Sequence, residues 1–431
     1  MTDSNKSTLW DRNYKALLQG NAVSKFGSIG FTIAITLVLK ELTDSGLIMA
    51  MVLGMSAVSA ILFGSFAGVV ADESEFKQKV MVKADMLAFV TALALALLFY
   101  LSDNTVVKVG GLMVAVFVLA ACQSFYGISA KTLVPSIVDK SHLLRANANM
   151  TSSVSAANIL GQGFAGVFLL VLGPVVFFIV DALTYLYSSI CARVIKTTPD
   201  DDELAAKKAA IKTPFSLTKI FTAIKSSWRA SKEFPGLTGV FMLVAIVNFI
   251  SAPTAMYLAF LTQDQLGLSA DWYAWFMVFL TLGGISGALI AKKLKDSNRY
   301  HVIMVALLIL STAKLLVAAS THYAMAISLL FIEANLYTVL SVMIVTTIQQ
   351  QTPKEIMGKV FGIVEVFGRI AIPLGLMVGG LLVDISDKNM PMVFAINGVA
   401  LFIACAFFAR LKPLRDYFQG KTPEATTLVA E

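Results

Sequence analysis

The chain has 431 residues, 57% of them hydrophobic and only 14% charged, with a net charge of +7 and a mean hydropathy of +0.77. A soluble globular protein is about 25% charged, so this chain has too little polar surface to be wetted on all sides. The composition excludes a soluble domain and points to a polytopic membrane protein.

The N-terminal stretch MTDSNKSTLWDRNY has neither an apolar core nor a small-residue cleavage site, so no signal peptide is expected. Twelve mostly apolar stretches follow, each long enough to cross a bilayer: 14–39, 46–71, 79–102, 106–130, 146–171, 174–195, 236–262, 270–291, 300–319, 321–346, 358–384 and 390–410. The expected fold class is all-α integral membrane, and an even number of spans puts both termini on one side. Of the 34 Lys and Arg residues, Lys40, Lys108 and Lys388 fall on one face of the membrane and Lys25, Lys314 and Arg369 fall within spans. The other 28 fall in the termini, the even-numbered loops and the adjoining helix ends. Positive loops stay in the cytoplasm, so both termini are expected there. This asymmetry explains the net charge, and no nucleic-acid partner is needed.

Between spans six and seven, KTTPDDDELAAKKAAIKT is charged. FSLTKIFTAIKSSWRASKEFPG then puts Leu217, Ile220, Phe221, Ile224 and Trp228 on one helical face, with lysines and an arginine around the remainder. That pattern predicts an amphipathic helix on the inner leaflet. The expected division is a six-helix bundle over 1–195, a cytoplasmic linker over 196–235, a second six-helix bundle over 236–415 and a tail over 416–431. The halves also show a faint repeat. Shifted by 214 residues, Gly161 meets Gly375 and Gly166 meets Gly380. Repeated halves with a central linker suggest a transporter with its site near the midplane.

Several segments carry a family likeness: NYKALLQGNAVSKFGSIGFTIAITLVLKELTDSG, GSFAGVVADESEFKQKVMVKADMLAF, LVPSIVDKSHLLRANANM, VVFFIVDALTYL and KEIMGKVFGI. In this order they resemble the macrolide-efflux-like branch of the major facilitator superfamily, over nearly the full length. The resemblance implies the major facilitator fold, twelve helices in two pseudo-symmetric bundles, and proton-coupled export of drugs or siderophores. It also implies a cytoplasmic gate after span two, matched by Gly68, Asp72, Lys77 and Lys79, although Glu73 stands where the family has Arg. Gly68 is expected to allow close helix contact. Asp72 is expected to face the positive N-terminal end of span eleven near Gly358, with Asp85 close enough to the inner surface to join it. Asp85 and Asp181 are read first as structural.

Charges within spans are costly and mark partners or water-filled cavities. Lys25 and Glu333 lie near mid-depth, and the resemblance implies that spans one, four, seven and ten line a central cavity. Asn21, Lys25, Gln123, Tyr126, Asn248, Glu333, Asn335 and Tyr337 are therefore the candidate substrate-cavity residues. Interhelical hydrogen bonding is the alternative for the polar members. Lys314, nearer the outer end of span nine, is expected to snorkel. Glu365 and Arg369, one turn apart in span eleven, either neutralise each other or form a switchable pair, so Glu333, Glu365 and Arg369 are the candidate proton-coupling residues. The repeat places Thr151 and Ser155 opposite the latter two, so the helix itself does not require their charges.

The expected function is alternating-access transport across a bacterial inner membrane: export of an amphipathic small molecule, anionic or zwitterionic, in exchange for protons, by a monomer. Uptake of a siderophore or transfer of a lysophospholipid on the same fold is the alternative. A non-transporting membrane sensor or assembly factor is the alternative of another class. No nucleotide-binding loop, nucleophile–base constellation or metal-ligand spacing is present, so no enzyme activity, cofactor or metal is expected.

Overall fold

A computed structural model describes residues 10–74, 76–139, 142–196, 236–294, 299–352 and 354–420. Within these, the side chains at 65, 69, 71–73, 144, 170, 354–359, 361–363 and 365 are not described. The described residues form helices and connecting turns without a strand: α1 Arg12–Thr43, α2 Gly46–Glu73, α3 Lys77–Leu101, α4 Thr105–Ile137, α5 Leu143–Val194, α6 Leu237–Ser251, α7 Thr254–Phe260, α8 Asp271–Ala291, α9 Arg299–Ala318, α10 Tyr323–Gln351, α11 Lys354–Ile385, α12 Met390–Arg410 and the short α13 Lys412–Phe418. Among them, eleven stretches are long and apolar enough to cross a membrane. The linker with its expected amphipathic helix lies outside the described residues.

The twelve spans expected from hydropathy all fall on these helices. Spans five and six are the two arms of α5. The break is at Gly173, whose φ of 73° and ψ of 170° suit glycine, just before Pro174. The chain folds back there: Gly161, Ala165 and Phe168 before the break line one cavity with Phe177, Val180, Asp181 and Thr184 after it. Span seven is also broken. α6 and α7 meet at Ala252 and Pro253, and a π-helical turn, Leu261–Gln265, follows. Pro253 lacks the N–H that would continue the ladder. Elsewhere, side chains cap the starts: Asn104 Oδ1 accepts from the Val106 N–H at 2.9 Å, and His322 Nδ1 from the Ala324 N–H at 3.2 Å.

The described residues group into two compact units. One comprises Met1–Asp44 with Met55–Pro214, the other Ser45–Gly54 with Phe215–Glu431. In the first, α5 packs along α1 and α3, and α3 packs on α4. In the second, α8 packs on α10, α9 on α12 and on α10, and α11 on α6. The start of α2 belongs to the second unit because Asp384 of α11 caps it. The Asp384 carboxylate accepts from Ser45 Oγ at 2.8 Å and from the backbone N–H groups of Gly46 and Leu47 at 2.6 and 3.0 Å. A carboxylate at a helix N-terminus satisfies orphan donors and complements the helix dipole.

Of the two glycine pairs that the repeat aligned, Gly161 and Gly375 occupy matching places, each within its own unit. A Cβ at Gly161 would stand 2.7 Å from the Phe26 carbonyl oxygen of α1, and one at Gly375 would overlap the Phe249 carbonyl of α6. Both positions let two helix backbones approach closely, as small residues do in membrane bundles. At Gly68 a Cβ would meet nothing within 4 Å among the described residues, and the side chains at 65, 69, 71–73 and 354–359 lie outside them.

Candidate functional site

In the first unit, α1, α3, α4 and the second arm of α5 enclose a narrow polar cavity. Ser24, Lys25, Ser28, Asp85, Ala88, Cys122, Gln123, Tyr126 and Tyr185 line it. Three of the expected cavity residues, Lys25, Gln123 and Tyr126, are thus brought together. Asn21 is buried one turn earlier on α1, outside this lining. Asp85, expected at the inner surface with Asp72, lines this cavity instead. It lies eight residues into α3, or about 12 Å along the axis at 1.5 Å per residue.

Two hydroxyl pairs cross the cavity walls. Ser28 Oγ and Tyr185 OH are 3.2 Å apart, and Ser188 Oγ donates to Tyr126 OH at 3.2 Å. Asp85 is 3% exposed and its Oδ2 has no hydrogen-bond partner. Asp181, on the second arm of α5, is 1% exposed and neither carboxylate oxygen has one. It fits there because Gly27 has no side chain: a Cβ at Gly27 would lie 2.6 Å from Asp181 Oδ1. The sequence analysis took Asp181 as structural first and left it out of the candidate site. Its signal was present, because Asp181, Thr184, Tyr185 and Ser188 recur at helical spacing on one face of an otherwise apolar arm.

In the second unit the expected residues separate. Glu333 of α10 is 5% exposed and its Oε1 accepts from Lys314 Nζ of α9 at 2.6 Å. Lys314 is 1% exposed and also lies 3.4 Å from Thr254 Oγ1 of α7. This corrects the expectation that Lys314 snorkels: its ammonium turns inward, because Glu333 offers a counter-charge at depth. Glu333 Oε2 has no partner. Asn335 faces α8 and donates to Ser286 Oγ at 2.7 Å, the interhelical alternative of the sequence reading. Asn248 and Tyr337 do meet: Tyr337 OH donates to Asn248 Oδ1 at 2.6 Å, and Asn248 Nδ2 to the Gly368 carbonyl at 3.3 Å.

The expected gate and coupling residues are placed in part. Lys77 Nζ donates to the Thr132 carbonyl of α4 at 2.9 Å, and Lys79 Nζ lies 3.9 Å from the Phe76 ring centroid. Arg369 is exposed on α11. The side chains of Asp72 and Glu365, and the surroundings of Gly358, lie outside the described residues.

Comparison with known proteins agrees with this architecture. The family model of the Major Facilitator Superfamily matches residues 17–376. Among curated proteins, the chain is 25% identical over 416 residues to "Multidrug resistance protein 1" of Bacillus subtilis, covering 92% of this chain and 97% of that one. Among solved structures, the nucleoside transporter NupG superposes with a TM-score of 0.73 at 11% identity, covering 93% of this chain and 98% of that one. An inward-facing bacterial homologue of the human lysosomal transporter Spinster gives 0.71 at 14% identity, covering 98% of this chain and all of that one. At such identities the structures establish the fold alone.

Proposed function

This chain belongs to the major facilitator superfamily and is a multi-pass membrane transporter of a small molecule, and we propose that it exports an amphipathic compound, of drug or siderophore type, in exchange for protons. The membrane is a bacterial inner membrane with both termini in the cytoplasm, and the mechanism is alternating access. The Bacillus subtilis relative is named for multidrug resistance, which supports drug-type compounds as substrates.

Proton coupling rests on one observation. Among the described residues, two carboxylates inside an apolar bundle, Asp85 and Asp181, hold oxygens without partners and have no ion pair, whereas Glu333 is neutralised by Lys314. An ionised carboxylate kept away from water without full hydrogen bonding costs several kcal/mol. A proton removes that cost, so the gain and loss of a proton changes the energy of any conformation that buries these groups. A transporter that exposes them alternately to the two sides converts a pH gradient into a bias between states.

The test is transport into proteoliposomes of purified protein, using a panel of anionic, zwitterionic, neutral and cationic amphipathic compounds. An acidic lumen should drive at least one class inward beyond its level in protein-free liposomes. Accumulation only with an alkaline lumen, or accumulation indifferent to the gradient, contradicts proton exchange.

A further inference from the structure

We infer that Asp181, acting with Asp85, is where the driving proton binds, inside the N-terminal bundle. The inference rests on the proton-exchange reading and names its site. Among the three buried carboxylates, Glu333 already holds a cation, since Lys314 Nζ stands 2.6 Å away. That pair is neutral as a unit and needs no proton. Among the described residues, Asp181 has no cation and no donor at either oxygen, and it is 1% exposed.

The surroundings of Asp181 choose between ions. Its cavity is walled by Phe26, Phe168, Phe177 and Val180, with Thr184 as the other polar side chain. A hard metal cation takes about six oxygen ligands, far more than this lining offers. A proton needs only the carboxylate: an O–H bond forms, the negative charge disappears, and no other bond changes. Release on the opposite side restores the carboxylate.

Two hydroxyl pairs lie in the same bundle. Tyr185 lies one turn beyond Asp181 and lines one cavity with Asp85. Its hydroxyl meets Ser28, and Ser188, which also faces Asp85, donates to Tyr126. Hydroxyls both donate and accept, so these two pairs can serve as relay groups beside Asp85, and a proton reaches Asp181 from them once a side chain or a water bridges the gap to its unbonded oxygens. The ionisable groups facing them are Lys25 from α1, Cys122 and Tyr126 from α4, and Tyr185 and Cys191 from α5, with Lys131 of α4 facing Lys25. Among the described residues, no carboxylate lies within the 4 Å ion-pair distance of Lys25 Nζ. Its charge therefore shares the cavity with Asp85 without pairing.

The test needs no substrate. Infrared difference spectra of the reconstituted protein, taken between acidic and alkaline buffer, should show a carboxylic-acid carbonyl band that shifts in deuterium oxide. Asp181→Asn should remove most of it, and Asp85→Asn the remainder. In proteoliposomes, both variants should lose at least tenfold of pH-driven accumulation of the panel compounds, while exchange at equal pH persists. Tyr185→Phe, which keeps the ring, should slow pH-driven transport, and it reads the relay if Asp181→Asn does not fold. A wild type whose transport ignores the pH gradient overturns the proton-exchange reading. A gradient-driven wild type whose band and drive survive in Asp85→Asn, Tyr185→Phe and every folded Asp181 variant overturns this assignment alone. Drive by a sodium gradient at equal pH, lost in Asp181→Asn, also overturns it.

Discussion

Lys314 and Glu333 show how depth along a helix misleads without a partner. Counted from the end of its span, Lys314 is within reach of the surface, yet it is 1% exposed and bound to Glu333. Burying two charges is justified only by close pairing, and removing one partner strands the other. Lys314→Met should therefore destabilise the protein by about 3–5 kcal/mol. The double variant with Glu333→Gln should recover most of that loss. Unfolding midpoints in mild detergent, set out as a double-mutant cycle, measure the coupling. A double-variant loss equal to the sum of the two single losses would show that the pair is not coupled. The polar types at Lys25, Gln123 and Tyr126 were legible because amphipathic residues stand out in apolar spans. The pairing of Asn335 with Ser286 was not, because nothing in α10 records which neighbour it faces.

At the scale of elements, hydropathy placed the spans, and Gly173–Pro174 marked the turn within α5. The start of α2 was legible at residue 46, but what caps it was not, since Asp384 lies 338 residues away. Asp384→Ala removes an acceptor of three hydrogen bonds and a charge favourable to the helix end. A loss of about 1–2 kcal/mol is expected, and faster amide exchange at Gly46 and Leu47 should accompany it. Unaltered exchange would mean that the cap does not hold this turn. The glycines make a second test. Gly161→Ala and Gly375→Ala put a methyl against a carbonyl of the neighbouring helix, and each should cost about 1–3 kcal/mol. Gly127→Ala, whose Cβ would meet nothing within 4 Å among the described residues, should cost far less. Equal melting temperatures for all three would contradict the close crossings.

For the whole molecule, membership in the family was legible from the order of motifs, and the matched region 17–376 establishes it. Orientation still rests on the lysine and arginine asymmetry. Single cysteines at Ala206 and Thr422 should react with an impermeant maleimide only after the inner face is opened, in a chain whose native cysteines are buried. Labelling of both in intact cells would reverse the orientation. The central claim is exchange of substrate for protons, and coupling must run in both directions. The most direct measurement places a pH indicator inside proteoliposomes, with equal pH on both sides and the membrane potential clamped, and adds a compound found active in the panel. As the compound enters downhill, the lumen should become alkaline, because protons are driven out against no initial gradient. Entry of the compound with an unchanged or acidified lumen would contradict proton exchange.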